Sequence, residues 1–472
     1  MSTFKPTIPA KPESFSIIAP GVSPEAALLS DQLLSKNHKE FHCFFNEKKF
    51  HNHLIHHLLA AYSLGASKEK IQQIFDEHAS YQKPAPPLLA ITLTRENYKD
   101  YLGQADAYTS FLHFFQSEIE KNGHIDTIRR WVWTGDMLAR TVGGAYHPLI
   151  HIGYSLEFDI PGIAAEGLAM AACTEPSLAT LIPLQPEIQT ALLPTQAQMY
   201  AENATSTARG YMTQFVDQLS TQLNTRLGIA EKVISPTATR SMDSNEVPGF
   251  LKENTLFPII NAIRKDPIFD DVVKPTDMVR SQIILKNKVA TDRIREYVDQ
   301  WPLEENSKDI QTKFKDLYTM VVTALGSAGL RTNHAVKVDF FIMHALTSSE
   351  FIHQYISKVA PSEAVSLLRA HLASTLVYYI AGGRPVLNVD DLLAYKIKEQ
   401  GNNPWLGVMD QSLDCMEPHV IKVVRACAVG QIIYGPQQDP RLNEVWLKVA
   451  HMAIESKGQW EFSGLGFEET WK

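Results

Sequence analysis

The stretch KVDFFIMH, residues 337–344, guides the interpretation of the whole chain. Residues seven apart in an α-helix lie almost above one another, so a helix through this stretch carries Lys337 and His344 on one apolar stripe. A bare buried ammonium is too costly, so such a lysine must reach solvent, pair with an acid, lose its proton or be chemically modified. The stretch therefore predicts a largely buried helix that presents a histidine and an unusual lysine.

Two further stretches are rich in histidine. In YHPLIH, residues 146–151, the proline after His147 favours the first turn of a helix, and His151 follows one turn later. In HNHLIHH, residues 51–57, the histidines at 53, 56 and 57 lie on one face of a helix. The apolar residues Ala60 and Leu64 continue this face.

Imidazoles at such spacings are how helices present ligands to a metal ion. We therefore expect residues 51–57, 146–151 and 337–344 to close on one metal ion. Taken alone, the two histidine-rich stretches have simpler explanations. A histidine pair four residues apart is more often packed or capping, and histidines opposite a core face are more often solvated.

Composition limits the class of protein. The 472 residues are 44% hydrophobic and 20% charged, which is typical of a globular protein. A net charge of −8 gives no broad basic surface, which argues against a nucleic-acid partner. The four cysteines are scattered and are expected to be reduced core thiols, and neither a signal peptide nor a membrane span is evident. We therefore expect a cytoplasmic protein with no membrane partner.

The chain is predicted to be all-α, because helical patterns dominate and no alternating strand pattern or fixed-period repeat is found. Residues 1–22, rich in proline and serine, are expected to form an extended N-terminal arm. Residues 23–472 are expected to form a single large multi-helix domain with a buried metal site, and residues 230–246 a mobile loop. The dinucleotide fingerprint G-x-G-x-x-G and the phosphate-binding P-loop motif are absent from the sequence.

Several motifs together resemble the questin oxidase-like family of fungal and bacterial oxidative enzymes. They are HNHLIHHLLAAYSLGA (51–66), YTSFLHFFQSEIEKNG (108–123), GGAYHPLIHIGYSLEF (143–158), KVDFFIMHALTSS (337–349) and GLGFEETW (464–471). The resemblance runs from about residue 40 to the end of the chain, with the motifs in the same order. It implies an enzyme that opens oxidised polyketide rings, typically anthraquinones such as questin, in a family that includes non-haem iron oxygenases.

With this resemblance, the histidines are interpreted as iron ligands. We expect His147, His151 and His344 to bind iron. One of His53, His56 and His57 is expected to be a fourth ligand, and His57 is favoured. His334, His371, His419 and His451 are expected to be ordinary packed or surface residues.

Lys337 is expected to be the fifth ligand. An ammonium has no lone pair, but a lysine deprotonated by burial can react with carbon dioxide to give a carbamate, an anionic oxygen ligand. The alternative is a salt bridge to an acid such as Glu157 or Glu166.

The expected function is that of an Fe(II)-dependent dioxygenase that cleaves a ring carbon–carbon bond of an anthraquinone-type polyketide in secondary metabolism. Its partners would be this small aromatic substrate and dioxygen. The first alternative is an NADPH-dependent Baeyer–Villiger-type monooxygenase acting on the same substrates. A non-catalytic polyketide-binding protein and a zinc-dependent hydrolase are the alternatives from other classes.

Overall fold

The computed structural model describes residues 17–187, 251–398, 401–435 and 439–472, together with Phe4 and the isolated positions 192, 193, 195 and 198. Within these residues the protein is mostly helical, which fits the all-α prediction. The expected mobile loop at 230–246 and most of the expected arm at 1–22 lie outside the described residues.

The helices of the first half are α1 (Pro24–Glu40), α2 (Leu54–Ser63), α3 (Lys68–Ala79), α4 (Tyr108–Asn122), α5 (His124–Val132), α6 (Met137–Thr141), α7 (His147–Phe158) and α8 (Pro161–Cys173). Those of the second half are α9 (Phe257–Lys265), α10 (Arg280–Lys286), α11 (Lys288–Asp299), α12 (Ser307–Ala328), α13 (Phe340–Ile356), α14 (Pro361–Ala381), α15 (Val389–Ala394), α16 (Pro404–Asp414), α17 (Pro418–Tyr434) and α18 (Pro440–Ser456).

The helix predicted through residues 337–344 begins later than expected. Its first residue is Phe340, and residues Val338–Asp339 form a short strand, β1, that pairs in parallel with β2 (Trp460–Glu461). The side chain of Asp339 accepts hydrogen bonds from the backbone N–H groups of Phe341 and Ile342, and so caps the helix. Lys337 therefore precedes the cap and does not share a helical stripe with His344.

Helix α13 is central to the core. It packs against α7, α12, α14 and α17, and α2 packs against both α7 and α17. The contact between α7 and α13 is close, because a Cβ atom added at Gly153 would overlap the side chain of Phe351. The four helices α2, α7, α13 and α17 thus form one packed group.

A buried arginine joins the same four helices. Arg425 of α17 donates hydrogen bonds to Glu350 of α13, to Glu157 of α7 and, over 2.9 Å, to the Ser63 hydroxyl of α2. Burial raises the pKa of Glu350 to about 8 although Arg425 opposes the shift, and repulsion from Glu157 adds to it. One guanidinium therefore holds two crowded carboxyl groups inside the core.

Helix α14 is the one helix among the described residues that is long and apolar enough to cross a membrane. Of its most apolar window, 83% is buried inside the protein. Its apolar character is accounted for by its place in the core. The four cysteines are free thiols, and three of them are buried.

Replacing Arg425 with methionine should strongly destabilise the fold. The change removes the guanidinium that Glu157 and Glu350 share in the core, and breaking a buried charge pair in this way costs roughly 3–5 kcal/mol. The free energy of unfolding, measured with a chemical denaturant, should fall by this amount. The control is Arg441→Met, which removes an ion pair to Asp439 from a side chain that is 54% exposed, and should cost less than about 1 kcal/mol. Equal losses in the two variants would contradict a central role for Arg425.

Candidate metal centre

Four buried histidines converge at one point. Ligand atoms of His53, His147, His344 and His419 all lie within 4.8 Å of one another. His53 immediately precedes α2, His147 is the first residue of α7, His344 lies in the second turn of α13, and His419 lies in the first turn of α17. The group therefore draws one side chain from each of the four packed helices or from its N-terminal flank.

Two of these rings have their tautomers set by the backbone. The Nδ1 atom of His147 is 2.7 Å from the carbonyl oxygen of Gly144, and Nδ1 of His344 is 2.7 Å from that of Phe340. Because a carbonyl oxygen only accepts hydrogen bonds, each neutral ring must carry its proton on Nδ1. The Nε2 atoms of both rings are therefore left with a free lone pair.

His419 is held in a similar way by a carboxylate. Its Nδ1 atom is 2.5 Å from Oε1 of Glu417, whose other oxygen accepts hydrogen bonds from the backbone at the start of α17. Metal-binding histidines commonly donate their second ring N–H to a carbonyl or carboxylate, which orients the ring. Three of the four histidines have this arrangement.

The inner nitrogens are only partly satisfied by one another. Nε2 of His147 lies 2.9 Å from Nε2 of His53, so that pair can share one proton. Nε2 of His344 and Nε2 of His419 are buried and have no hydrogen-bond partner among the described residues. Buried polar atoms without hydrogen-bond partners are rare and require an explanation. A cation bound by both Nε2 lone pairs would be such an explanation.

The electrostatics favour neutral imidazoles. Burial is the main cause that lowers the pKa of all four rings well below 6.5, and the nearby cation Lys422 lowers each of them further. Neutral rings are the form that binds metal ions. The group therefore needs no deprotonation before it can bind a metal ion at neutral pH.

The backbone before His147 is strained. Gly144, Ala145 and Tyr146 have φ values of 52°, 52° and 61°, which two of these residue types rarely adopt. A Cβ atom at Gly144 would lie 2.6 Å from His51, whose ring stacks on His147 with centroids 4.5 Å apart. This glycine therefore leaves room for a second imidazole, which supports the ring of His147 from behind.

The structure places His57 and His151 outside this group. Nδ1 of His57 is 3.0 Å from Nε2 of His78, because this part of α2 packs against α3. Both nitrogens of His151 are engaged, Nδ1 with His56 at 3.2 Å and Nε2 with Glu166 at 3.1 Å. Of His53, His56 and His57, only His53 belongs to the four-histidine group.

Lys337 also lies elsewhere. Its Nζ atom is 3.0 Å from Oε2 of Glu461, and its side chain is 31% exposed. This matches the salt-bridge alternative, with Glu461 as the acid instead of Glu157 or Glu166. The buried amine expected at Lys337 is found at Lys422, whose Nζ has no hydrogen-bond partner among the described residues and whose pKa is lowered by burial to about 7.

His419 was expected to be an ordinary packed or surface histidine. The structure shows that it is buried and lies within the four-histidine group, which no expectation from the sequence included. A signal was present, because the sequence Glu417-Pro418-His419 places a histidine beside a proline at a helix start, as His147-Pro148 does.

Comparison with known proteins gives consistent relatives. Residues 50–427 match the questin oxidase-like family. The chain is 27% identical to a Baeyer–Villiger oxidase of Pestalotiopsis fici, over 94% of this chain and 92% of the relative. It is also 27% identical to the questin oxidase of Aspergillus fumigatus, over 96% and 95% of the two chains, and 26% identical to a Baeyer–Villiger oxidase of Emericella nidulans, over 94% and 92%.

These matches cover nearly the whole length of the chain and of each relative, and the family match includes all four converging histidines. The names of the relatives have an oxidative activity in common, which supports an oxidoreductase. The family expected from the sequence motifs is thereby confirmed, and this chain belongs to the questin oxidase-like family.

Proposed function

We propose that this protein is a non-haem iron-dependent dioxygenase that opens a ring of an anthraquinone-type polyketide. The family and the names of its members support an oxidative enzyme acting on such compounds. The observation that carries the choice of a metal is the pair of partnerless Nε2 atoms in a group of four neutral imidazoles, three of which are oriented by hydrogen bonds through Nδ1. The proposed ligands are His53, His147, His344 and His419.

The donor set suits iron better than the alternatives. Imidazole nitrogens bind iron, and an oxygenase needs coordination positions that the protein leaves open. Four imidazoles would fill the tetrahedral shell that zinc prefers and leave little space for a hydrolytic water. The chemistry that iron would supply here is the activation of dioxygen beside an electron-rich ring.

The residues of the chain have identifiable tasks around such a centre. The carbonyl groups of Gly144 and Phe340 and the carboxylate of Glu417 hold three rings in one tautomer. Helices α2, α7 and α17 begin at the group, and their N-terminal ends carry partial positive charge that favours an ionised phenol nearby. Lys422 adds a titratable positive charge to the same surroundings.

The ligand set can be tested by metal analysis. Protein purified without added metal should contain nearly stoichiometric iron, and His53→Ala, His344→Ala and His419→Ala should lose most of it, because each removes a ligand. His57→Ala should keep its iron, since the ring of His57 bonds to His78. Elemental analysis of protein checked for folding by circular dichroism gives the measurement.

The same measurement tests the prediction of a carbamate on Lys337. Because Lys337 is paired with Glu461, Lys337→Ala should retain full iron content if the four imidazoles suffice. Iron lost from Lys337→Ala and kept in His419→Ala would restore the original ligand set and contradict the one proposed here.

The carboxylate of Glu417 should affect metal affinity without being a ligand. Glu417→Gln keeps the size of the side chain but weakens the hydrogen bond that orients His419, and changes of this kind lower metal affinity by roughly tenfold or more. Competition with a chelator measures the affinity. Glu468→Gln, which alters a carboxylate that is 76% exposed, is the control and should leave the affinity unchanged.

The second candidate is an NADPH-dependent Baeyer–Villiger-type monooxygenase, which the names of several relatives favour. The two functions differ in their need for a reductant. A dioxygenase should consume dioxygen and form ring-opened product from an anthraquinone substrate without NADPH, and should lose this activity with its iron.

Activity of iron-free protein that depends on NADPH would instead establish the monooxygenase. Absence of dioxygen consumption, with tight binding of the polyketide, would favour a non-catalytic binding protein. Hydrolysis without dioxygen in zinc-loaded protein would favour the hydrolase.

A further inference from the structure

Two phenylalanines connect the four imidazoles with the surface. The ring of Phe340 has its centroid 4.5 Å from that of His344 and 5.3 Å from that of His419. The same ring lies 4.3 Å from the ring of Phe462. The two histidines are buried, whereas Phe462 is 52% exposed. A continuous series of aromatic ring contacts therefore runs from solvent to the four-histidine group.

The exposed ring of Phe462 projects from a backbone that is held in several ways. The preceding residues form β2, which pairs with β1, and Glu461 bonds to Lys337. Arg280 donates a 2.5 Å hydrogen bond to the carbonyl oxygen of Phe462. A large apolar ring kept in solvent by a fixed backbone can stack on a flat ligand with little loss of conformational entropy.

A second aromatic path reaches the group from another part of the surface. The ring of Phe45 lies 6.5 Å from that of His53 and 6.1 Å from that of Phe50, which is 54% exposed. This path contacts one imidazole only, and at a longer distance than Phe340. The contacts therefore favour the path through Phe462, and Phe50 provides a matched comparison.

The stack fits a flat, fused aromatic ligand. Phenyl rings attract planar ring systems by burial of apolar area and by offset or edge-to-face contact. A fused ring system is larger than one phenyl ring, so it can lie across Phe462 and the outer side of Phe340 together, with the Phe340 ring between it and the imidazoles. A small polar substrate would gain no stacking contact and little burial of apolar area from this arrangement.

We propose that Phe462 and Phe340 form the aromatic entrance of the metal centre. A planar polycyclic substrate binds by stacking on Phe462, while Phe340, whose ring contacts His344 and His419, supports the end of the substrate that is nearest to the imidazoles. The ligand class rests on the proposed function, whereas the location of the entrance rests on the contacts of the two rings.

Binding of danthron, a dihydroxyanthraquinone, under anaerobic conditions tests the entrance directly. Quenching of tryptophan fluorescence can be followed, since Trp460 lies 5.9 Å from His419. Phe462→Ala should weaken binding by about tenfold, because it removes the stacking surface. Phe462→Trp should restore binding, and Phe50→Ala should bind as the wild type does. Iron content should be the same in all of these proteins, because none of the changes touches a ligand.

The outcomes separate the entrance from the proposed function. Equal affinity of Phe462→Ala and the wild type, or a larger loss in Phe50→Ala, would overturn the entrance. Wild-type protein that holds iron but binds no planar aromatic would overturn it as well. Wild-type protein that binds danthron through Phe462 but holds no iron would leave the entrance in place and contradict the iron-dependent function.

Discussion

The interaction on which the rest of the structure depends is the buried contact of Arg425 with Glu350, Glu157 and Ser63. It joins α17 to α13, α7 and α2. These four helices also supply, within their first two turns or just before them, the four histidines of the candidate metal centre. Buried ion pairs contribute little net stability when compared with apolar packing, but they strongly disfavour arrangements in which a charge is left alone. Arg425 therefore specifies how the four helices are set against one another, and the convergence of the histidines depends on that setting.

The candidate metal centre is built from burial and hydrogen bonding together. Burial keeps the rings neutral, and hydrogen bonds to the carbonyl groups of Gly144 and Phe340 and to the carboxylate of Glu417 decide which nitrogen keeps its proton. Neither effect alone would produce converging lone pairs. The left-handed backbone before His147 is consistent with a ring that is held in one position, because backbone strain of this kind persists where the surroundings fix the local conformation.

Much of the fold could be predicted from the sequence because its signals are local. Helical periodicity and the prolines at helix starts identify α7 and α17. The exception is the start of α13, where apolar residues from Val336 onward favour a helix. The chain remains extended up to Asp339, because β2 satisfies its backbone and the carboxylate of Asp339 caps the first turn. The partner strand is more than a hundred residues away in the chain, so no local pattern reveals it.

The sequence by itself determined that the chain is helical and which family it belongs to, and it singled out His147 and His344 as candidate ligands. Only the tertiary structure decided which other histidines join them. His57 and His151 have the spacing of ligands, but Nδ1 of His57 faces His78 and Nε2 of His151 faces Glu166, which are brought there by α3 and α8. His419 has no neighbouring histidine in the sequence, and it joins the group because α17 packs against α13. The physical reason is that spacing along one helix fixes a shared face, whereas a metal site needs faces of several helices, whose relative placement depends on long-range packing.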